Sequence, residues 1–329
     1  MTTSSHDPES LLPRLGELRG ALAHAVVGQQ QVVEQLLIGL LAGGHCLLEG
    51  APGLGKTLLV RSLGQALELQ FRRVQFTPDL MPSDILGTEL LEEDHGTGKR
   101  AFRFQQGPVF TNLLLADELN RTPPKTQAAL LEAMQEHTVS YAGTTHALPS
   151  PFFVLATQNP IEQAGTYPLP EAQLDRFLLH VRVDYPSEAE ELDILAQTTG
   201  SSGSGVPRVM DAAAVEALQA MVRDVHVGAD LLTWITRLVR ASRPGDGAPA
   251  AVNHWIKWGA GPRAGQSLVL ASKARALLHG RFAATREDVQ ALAAPVMRHR
   301  LLLSFAAEAE QKSADDVVAA LLQAVPYPA

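Results

Sequence analysis

The sequence predicts an α/β fold with a parallel five-stranded sheet, followed by a smaller all-α domain. Three observations support this. Five short apolar runs, typical of strands buried on both faces, alternate with helical patterns in the first half of the chain. The run at 45–49 leads into the pattern Gly-x-x-x-x-Gly-Lys-Thr at 50–57. After Pro186 the apolar residues recur mainly at helical spacing. We therefore expect one domain over 1–185 and another over 186–329.

The first domain begins with two predicted helices, over 10–24 and 29–41, where apolar residues recur every three or four positions. A further helix begins at Pro123-Pro124, since proline is well placed in a first turn. The five predicted strands cover, in chain order, 45–49, 71–76, 113–118, 152–156 and 178–183.

Two pairs of alternating segments predict β-hairpins outside the sheet. The first pair, 88–92 and 100–104, flanks His95–Gly98 within a long insertion over about 77–110. The second hairpin covers 138–148. Insertions of this length in compact domains are usually functional, so both hairpins are candidate contact surfaces.

The second domain shows five helical patterns. One of them begins with Thr285 and has Asp288 three residues later, which is a variant of the capping box. The five segments are 188–198, 211–223, 228–242, 263–279 and 285–294.

Composition excludes several classes of protein. The 329 residues are 46% hydrophobic and 19% charged, which is typical of a folded chain and not of a disordered one. Nearly all of the formal net charge of −8 falls in the first domain, so stable nucleic-acid binding is not expected. The only cysteine, Cys46, allows no intrachain disulfide. With neither a secretory signal nor an apolar run long enough for a membrane segment, we expect a cytoplasmic protein.

The motif at 50–57 predicts a site for a nucleoside triphosphate. Its glycines allow backbone N–H groups to converge on a phosphate chain, and the next helix directs its positive end at the anion. Lys56 would reach the β- and γ-phosphates, and the Thr57 hydroxyl would hold Mg²⁺. The residues assigned to the nucleotide here are Gly50, Ala51, Pro52, Gly53, Leu54, Gly55, Lys56, Thr57 and Leu58.

Three polar residues after later strands complete the predicted chemistry. Asp117 would help to organise Mg²⁺, partly through its water shell, and Glu118 would polarise the water that attacks the γ-phosphate. Two carboxylates at a strand end could instead cap the next helix. Asn159 could orient the same water, or it could simply start a turn before Pro160.

Two arginines are candidates for contact with phosphate. Arg176 precedes the fifth strand, where it would reach a neighbouring subunit's nucleotide more easily than its own. Arg263 begins a helix of the second domain, which could bring its guanidinium to the phosphates. A structural ion pair is the alternative for each.

These motifs together resemble those of AAA+ ATPases and, more narrowly, of the MoxR family. The resemblance covers nearly the whole chain. It is carried by Gln75-Phe-Thr-Pro-Asp-Leu-Met-Pro-Ser-Asp-Ile-Leu-Gly87, Gln106-Gly-Pro-Val-Phe110, Ala116-Asp-Glu-Leu-Asn-Arg-Thr-Pro-Pro-Lys-Thr-Gln127, Ala156-Thr-Gln-Asn-Pro160, Gly165-Thr-Tyr-Pro-Leu-Pro-Glu-Ala-Gln-Leu-Asp-Arg-Phe177 and Gly261-Pro-Arg-Ala264.

The resemblance implies an AAA+ core with a helix-2 insert, a pre-sensor hairpin at 138–148, an all-α lid domain and a hexameric ring. It implies the sensor-1 role for Asn159, a trans-acting arginine finger for Arg176, and for Arg263 the sensor-2 role at its own chain's nucleotide. It places the adenine of ATP at Val27-Gly28, although a plain turn between helices is the alternative there.

The family resemblance also implies a function: a chaperone-like ATPase that remodels or matures other proteins. Its usual partners carry a von Willebrand factor A domain. The alternatives are the motor subunit of a metal-chelatase-like complex and a nucleotide-gated assembly scaffold. The presence of both Glu118 and Arg176 disfavours the scaffold. The hairpin at 138–148 has no Lys or Arg, which disfavours DNA translocation.

Overall fold

The structure, a computed structural model, describes residues 8–51, 53–93, 100–159, 165–198 and 205–328. Its strands are β1 (Cys46–Gly50), β2 (Phe71–Gln75), β3 (Gly87–Glu93), β4 (Arg100–Gln106), β5 (Leu113–Asp117), β6 (Thr138–Tyr141), β7 (Thr144–Ala147), β8 (Phe153–Gln158), β9 (Leu179–Val183), β10 (Ile256–Trp258) and β11 (Leu302–Leu303). Its α-helices are α1 (Pro8–Ala25), α2 (Gln30–Leu41), α3 (Lys56–Ala66), α4 (Pro82–Leu86), α5 (Pro124–Glu136), α6 (Glu171–Leu174), α7 (Glu188–Thr198), α8 (Ala212–Asp224), α9 (Ala229–Ala241), α10 (Ala250–Trp255), α11 (Pro262–Leu278), α12 (Arg286–Met297), α13 (Phe305–Ala309) and α14 (Ala314–Ala324).

The main sheet has the order β2-β5-β8-β1-β9, and all of its strands are parallel. The five strands lie where the apolar runs predict them. The inner strands β5, β8 and β1 are almost entirely buried, as strands covered on both faces are. The edge strand β2 buries only Val74, so its polar side chains line one end of the sheet.

Helices cover the two faces of the sheet and form two hydrophobic cores. One core packs α5, through Leu130, Leu131 and Met134, against β5 and β8. The other core contains α1, α2 and α3 and continues into the helices of the lid, where Trp234 is fully buried. The helices α1 and α2 therefore lie between the sheet and the lid.

Both predicted hairpins are present. The insert hairpin, β3–β4, is antiparallel, and its predicted turn at His95–Gly98 lies outside the described residues. The pre-sensor hairpin, β6–β7, closes through Ala142 (φ 48°) and Gly143 (φ 81°). Positive φ angles at two successive residues define a two-residue turn. The rings of Phe104 and His146 stack at 4.3 Å and join the two hairpins.

The lid contains the five predicted helices as α7, α8, α9, α11 and α12, and the capping box of Thr285 and Asp288 is confirmed. It is not purely helical, because β10 and β11 form a short antiparallel ribbon. Strands of two and three residues are too short to leave a periodic pattern, which explains why the sequence did not predict them. The boundary between 185 and 186 remains a prediction. No helix in the described ranges is long and apolar enough to cross a membrane.

Candidate functional site

The predicted phosphate loop lies at the carboxyl edge of the sheet, directly after β1. Gly53 (φ 84°) and Gly55 (φ 72°) have left-handed backbone conformations that side-chain-bearing residues rarely adopt, so the loop requires glycine at both positions. The helix α3 begins at Lys56 with Gly55 as its N-cap residue. The loop glycines and the first residues of α3 line one cavity, so the loop and the positive helix end border the same space. Pro52 lies outside the described residues.

A cavity of about 410 Å³ opens at this edge of the sheet. Lys56 lies in its wall, where its Nζ donates a hydrogen bond to the Gly50 carbonyl at 2.8 Å. Partial burial lowers the pKa of Lys56, while the nearby carboxylates of Asp117 and Glu118 oppose that shift. The cavity is lined by Gly53, Gly55, Lys56, Thr57, Arg73, Gln75, Asp117, Glu118 and Asn159.

Asp117 ends β5 with both carboxylate oxygens already hydrogen-bonded. Oδ1 accepts a hydrogen bond from the Thr157 hydroxyl at 2.6 Å. Oδ2 accepts two from Arg73, from Nη2 at 2.6 Å and from Nε at 3.0 Å. The strand neighbours β8 and β2 therefore fix Asp117 from both sides.

Glu118 follows in a left-handed conformation (φ 58°), which turns the chain out of the strand. Its N–H donates to Thr157 Oγ at 2.9 Å, so one buried hydroxyl holds both acidic residues. Its Oε2 accepts from Gln75 Nε2 at 2.6 Å and forms an ion pair with Arg121 at 3.2 Å. The short 3₁₀ helix Leu119–Arg121 has no side-chain cap, so the capping alternative for Glu118 is not observed.

These residues fit a nucleotide with Mg²⁺. A threonine hydroxyl and a carboxylate are the hard oxygen ligands that Mg²⁺ prefers, and Thr57 and Asp117 line the same cavity. Asn159, which is buried, lies in the wall beside them. Within the described ranges, no three His, Cys, Asp or Glu side chains form a separate metal-binding cluster.

The predicted adenine position also lies near the loop. Gln29 Nε2 donates to the Leu54 carbonyl at 2.7 Å, which ties the turn at Val27-Gly28 to the phosphate loop. Gly28 has φ +76°, and a Cβ there would lie 2.9 Å from the side chain of Glu190. Leu58 is half-exposed on the first turn of α3.

The two candidate arginines lie at the amino edge of the sheet, where the strands begin, opposite the carboxyl edge that carries the phosphate loop. Arg176 precedes β9, and the next residues are level with His45, because the Leu178 N–H donates to the His45 carbonyl. A strand of five residues at about 3.3 Å each separates this edge from the phosphate loop by about 16 Å. Arg263 lies within 3.7 Å of Asp175 and lines a cavity of about 210 Å³ together with Arg176.

The structure therefore brings Arg176 and Arg263 together and does not bring Arg263 to its own phosphate loop. The predicted contact of Arg263 with its own chain's nucleotide is not supported by this arrangement. Within the described residues, the Arg176 guanidinium makes no hydrogen bond or ion pair. Arg300, by contrast, is buried and holds the same segment through Asp175 Oδ1 and the Phe177 carbonyl, both at 2.7 Å.

Sequence reasoning missed four polar residues of the site: Arg73, Gln75, Arg121 and Thr157. A signal existed for the first two. They are two residues apart on β2, so their side chains share one face, and Gln75 lies opposite Asp117 in the parallel register. Predicting that β2 neighbours β5 would have placed both beside the carboxylates.

Comparison with known proteins agrees with this geometry. Residues 45–179 match the family described as ATPase family associated with various cellular activities (AAA), and residues 249–321 match an AAA lid domain. A crystal structure of a protein from Cytophaga hutchinsonii, described as a candidate ATPase, superposes with a TM-score of 0.90. The two chains are 38% identical in sequence, and the superposition covers 98% of this chain and 97% of the other.

Three relatives match over most of both chains. Chaperone MoxR1 of Mycobacterium tuberculosis is 43% identical over 92% of this chain and 79% of its own length. The uncharacterized protein YeaC of Bacillus subtilis is 40% identical over 97% of each chain. Protein MoxR of Paracoccus denitrificans is 34% identical over 96% of this chain and 97% of its own. Motifs, fold and relatives agree, and the chain belongs to the MoxR family of AAA+ ATPases.

Proposed function

We propose that this chain hydrolyses ATP to ADP and phosphate and uses the energy to remodel or mature a partner protein. The observation that carries the proposal is the cavity at the carboxyl edge of the sheet. The cavity is lined by glycines of the phosphate loop, by Lys56 and Thr57, by the carboxylates of Asp117 and Glu118, and by Asn159.

Each of these residues has a proposed task. The loop N–H groups and Lys56 hold the phosphates, and Thr57 and Asp117 hold Mg²⁺, which neutralises phosphate charge when bound. Glu118 accepts a proton from the attacking water, after its carboxylate turns from Gln75 and Arg121 into the cavity. Asn159 orients that water.

We further propose that the active site is shared between subunits of a ring, most simply a hexamer. Arg176 and Arg263 line a cavity where the strands begin, about one strand length (~16 Å) from the phosphate loop, and we assign their stabilisation of transition-state charge to a neighbour's nucleotide. This replaces the predicted same-chain role of Arg263. Arg300 would keep the segment bearing Arg176 fixed to the lid.

The partner surface we propose is formed by the two hairpins. Phe102 lies opposite Leu91 on the insert hairpin, and these side chains are 70% and 55% exposed. They continue the face on which Phe104 packs against the pre-sensor hairpin. Their partner would be a protein with a von Willebrand factor A domain, as the family resemblance implies. Cytoplasmic location remains a prediction.

The catalytic proposal is tested by separating nucleotide binding from turnover. Lys56→Ala should abolish tight ATP binding, because the loop loses its mobile cation. Glu118→Gln should bind ATP as the wild type does but release phosphate at least about 100-fold more slowly. Glu132→Gln, an exposed glutamate on α5, is the matched control. Wild-type turnover by Glu118→Gln would remove the proposed base, and absence of turnover in the wild type itself would favour the scaffold.

A further inference from the structure

Arg73 lies in the nucleotide cavity and contacts the residue that would hold the metal. Both Nη2 and Nε of its guanidinium donate to the same oxygen of Asp117, at 2.6 and 3.0 Å. The other oxygen of Asp117 accepts the Thr157 hydroxyl. Both oxygens of Asp117 therefore accept hydrogen bonds from protein donors in this structure, and the Arg73 guanidinium that binds one of them lines the same cavity.

This pair conflicts with metal binding on electrostatic grounds. A carboxylate that holds Mg²⁺ directly or through water brings the ion within a few ångströms of the carboxylate oxygens. A guanidinium 2.6 Å from the same oxygen would place two cations side by side, which is unfavourable in a partly enclosed cavity. Arg73 and Mg²⁺ cannot both occupy Asp117 without mutual repulsion.

Arg73 has a second acceptor within reach. Its Nη2 also donates to Gln75 Oε1 at 2.6 Å, and Gln75 in turn donates to Glu118. The side chain is about half-exposed, so it can shift without repacking the core. A guanidinium displaced from Asp117 thus remains bonded inside the cavity.

We propose that Arg73 is a counter-ion that competes with Mg²⁺ for Asp117. Before the metal binds, Arg73 neutralises the Asp117 carboxylate, and the metal must displace Arg73 from it. Arg73 thereby weakens metal binding at the site and makes metal entry depend on the bound nucleotide, whose phosphates supply the remaining ligands. This inference rests on the proposed nucleotide function and deepens it.

Arg72 offers a matched control. It is the preceding residue on the same strand and is exposed on the opposite face, with no side-chain hydrogen bond or ion pair to any described residue. Arg72→Gln and Arg73→Gln therefore remove the same charge from adjacent positions. Only Arg73→Gln removes the positive charge that contacts Asp117.

The experiment measures Mn²⁺, as a paramagnetic substitute for Mg²⁺, binding to the full chain with equimolar ADP by electron paramagnetic resonance. For Arg73→Gln we expect the half-saturating Mn²⁺ concentration to fall about tenfold, since one competing positive charge is removed. Arg72→Gln should match the wild type. Arg73→Lys, which keeps the charge but loses the paired donors, should lie between them and guards against misfolding of the first variant.

The proposal would be overturned if a folded Arg73→Gln chain that binds ADP had the same half-saturating Mn²⁺ concentration as the wild type, or a higher one. It would mean instead that Arg73 orients Asp117 for the metal or has no effect on it. Failure of the wild-type chain to bind ADP at all would be a different result, since it would remove the proposed nucleotide site itself.

Discussion

Thr157 shows how much of the site depends on one buried hydroxyl. Its Oγ donates to Asp117 Oδ1 at 2.6 Å and accepts from the Glu118 N–H at 2.9 Å. Asp117, the proposed metal ligand, and Glu118, the proposed base, are consecutive residues. Thr157, on the neighbouring strand β8, binds the side chain of the first and the backbone N–H of the second. A residue that contacts neither substrate nor metal can thus determine where two catalytic groups point.

We predict that Thr157→Val lowers kcat by about 10- to 100-fold while ATP binding stays near normal. Valine keeps the shape but leaves the Glu118 N–H and an Asp117 oxygen without their partner. Phosphate release and titration with a fluorescent ATP analogue would measure the two effects. Thr157→Ser, which restores the hydroxyl, should recover most of the activity; equal loss in both variants would assign the effect to packing.

At the scale of elements, the start of α12 is held by a buried carboxylate. Asp288 is fully buried, accepts from the Thr285 N–H, and is paired with Arg275 at 2.7 Å and Arg281 at 2.6 Å. Burial alone would raise its pKa, but the hydrogen bonds from Arg281, Thr285 and Arg275 outweigh burial, so the pKa of Asp288 is lowered. This cluster connects α11 to α12 within the lid.

We predict that Asp288→Asn reduces the free energy of unfolding by about 2–4 kcal/mol at neutral pH, because two arginines lose their buried counter-charge. Urea denaturation checks this, with the exposed lid residue Glu216 changed to Gln as the control. Because the folded pKa of Asp288 is lowered, its stabilisation is complete above the unfolded-state pKa of about 4 and is lost as pH falls through the folded pKa. The gap between wild type and variant should therefore narrow below about pH 4, and a gap constant with pH would contradict the ionic role.

The hairpins give a second prediction at this scale. Phe102→Ser combined with Leu91→Ser should leave basal ATP hydrolysis near that of the wild type, since the insert hairpin lies outside the sheet that carries the site. Binding to a purified von Willebrand factor A domain partner, measured by calorimetry, should fall about tenfold or more, because two exposed apolar side chains are lost. Phe282→Ser, an exposed aromatic in the lid, is the control. Unchanged binding would place the partner surface elsewhere.

For the whole molecule, the decisive question is whether two subunits build one site. Mixed rings of inactive Arg176→Ala and inactive Lys56→Ala subunits should regain part of their ATP hydrolysis, because some intact loops then face intact arginines. Arg263→Ala mixed with Lys56→Ala should also recover, contrary to the sequence-based expectation. Lys56→Ala mixed with Glu118→Gln should not recover, because both changes damage the nucleotide's own subunit.

A mixture of Arg176→Ala with Arg263→Ala subunits shows whether Arg263 acts on the neighbour's nucleotide or on that of its own chain. If both arginines act on the neighbour, each subunit in the mixture presents one defective arginine and activity stays low. If Arg263 acts on its own nucleotide, some sites become complete and phosphate release recovers. Native mass spectrometry would confirm that the rings exchange subunits before either result is read.

The strands, the phosphate loop and the acidic pair could be predicted because each leaves a local pattern in the sequence. The polar residues around the acidic pair could not be predicted, because Arg73 and Gln75 meet Asp117 only through the pairing of β2 with β5, and Arg73 and Asp117 are 44 positions apart in the chain. The position of Arg263 depended on how the lid sits against the sheet, which no motif records. The β10–β11 ribbon was missed because its strands are too short to show a period.

The placement of α1 and α2 between the sheet and the lid has a consequence for synthesis. The faces of these helices are completed by α8 and α11, and Glu34 of α2 pairs with Arg275, 241 positions later. At about 5–20 residues per second, a ribosome needs about 12–48 s to add the 241 residues from Glu34 to Arg275. Until then the side of α2 that faces the lid remains uncovered, while its other side can pack against α1 and β9. The nascent chain therefore finishes this core only after the lid helices α8 and α11 have been synthesised, and its apolar residues are exposed to aggregation during that interval.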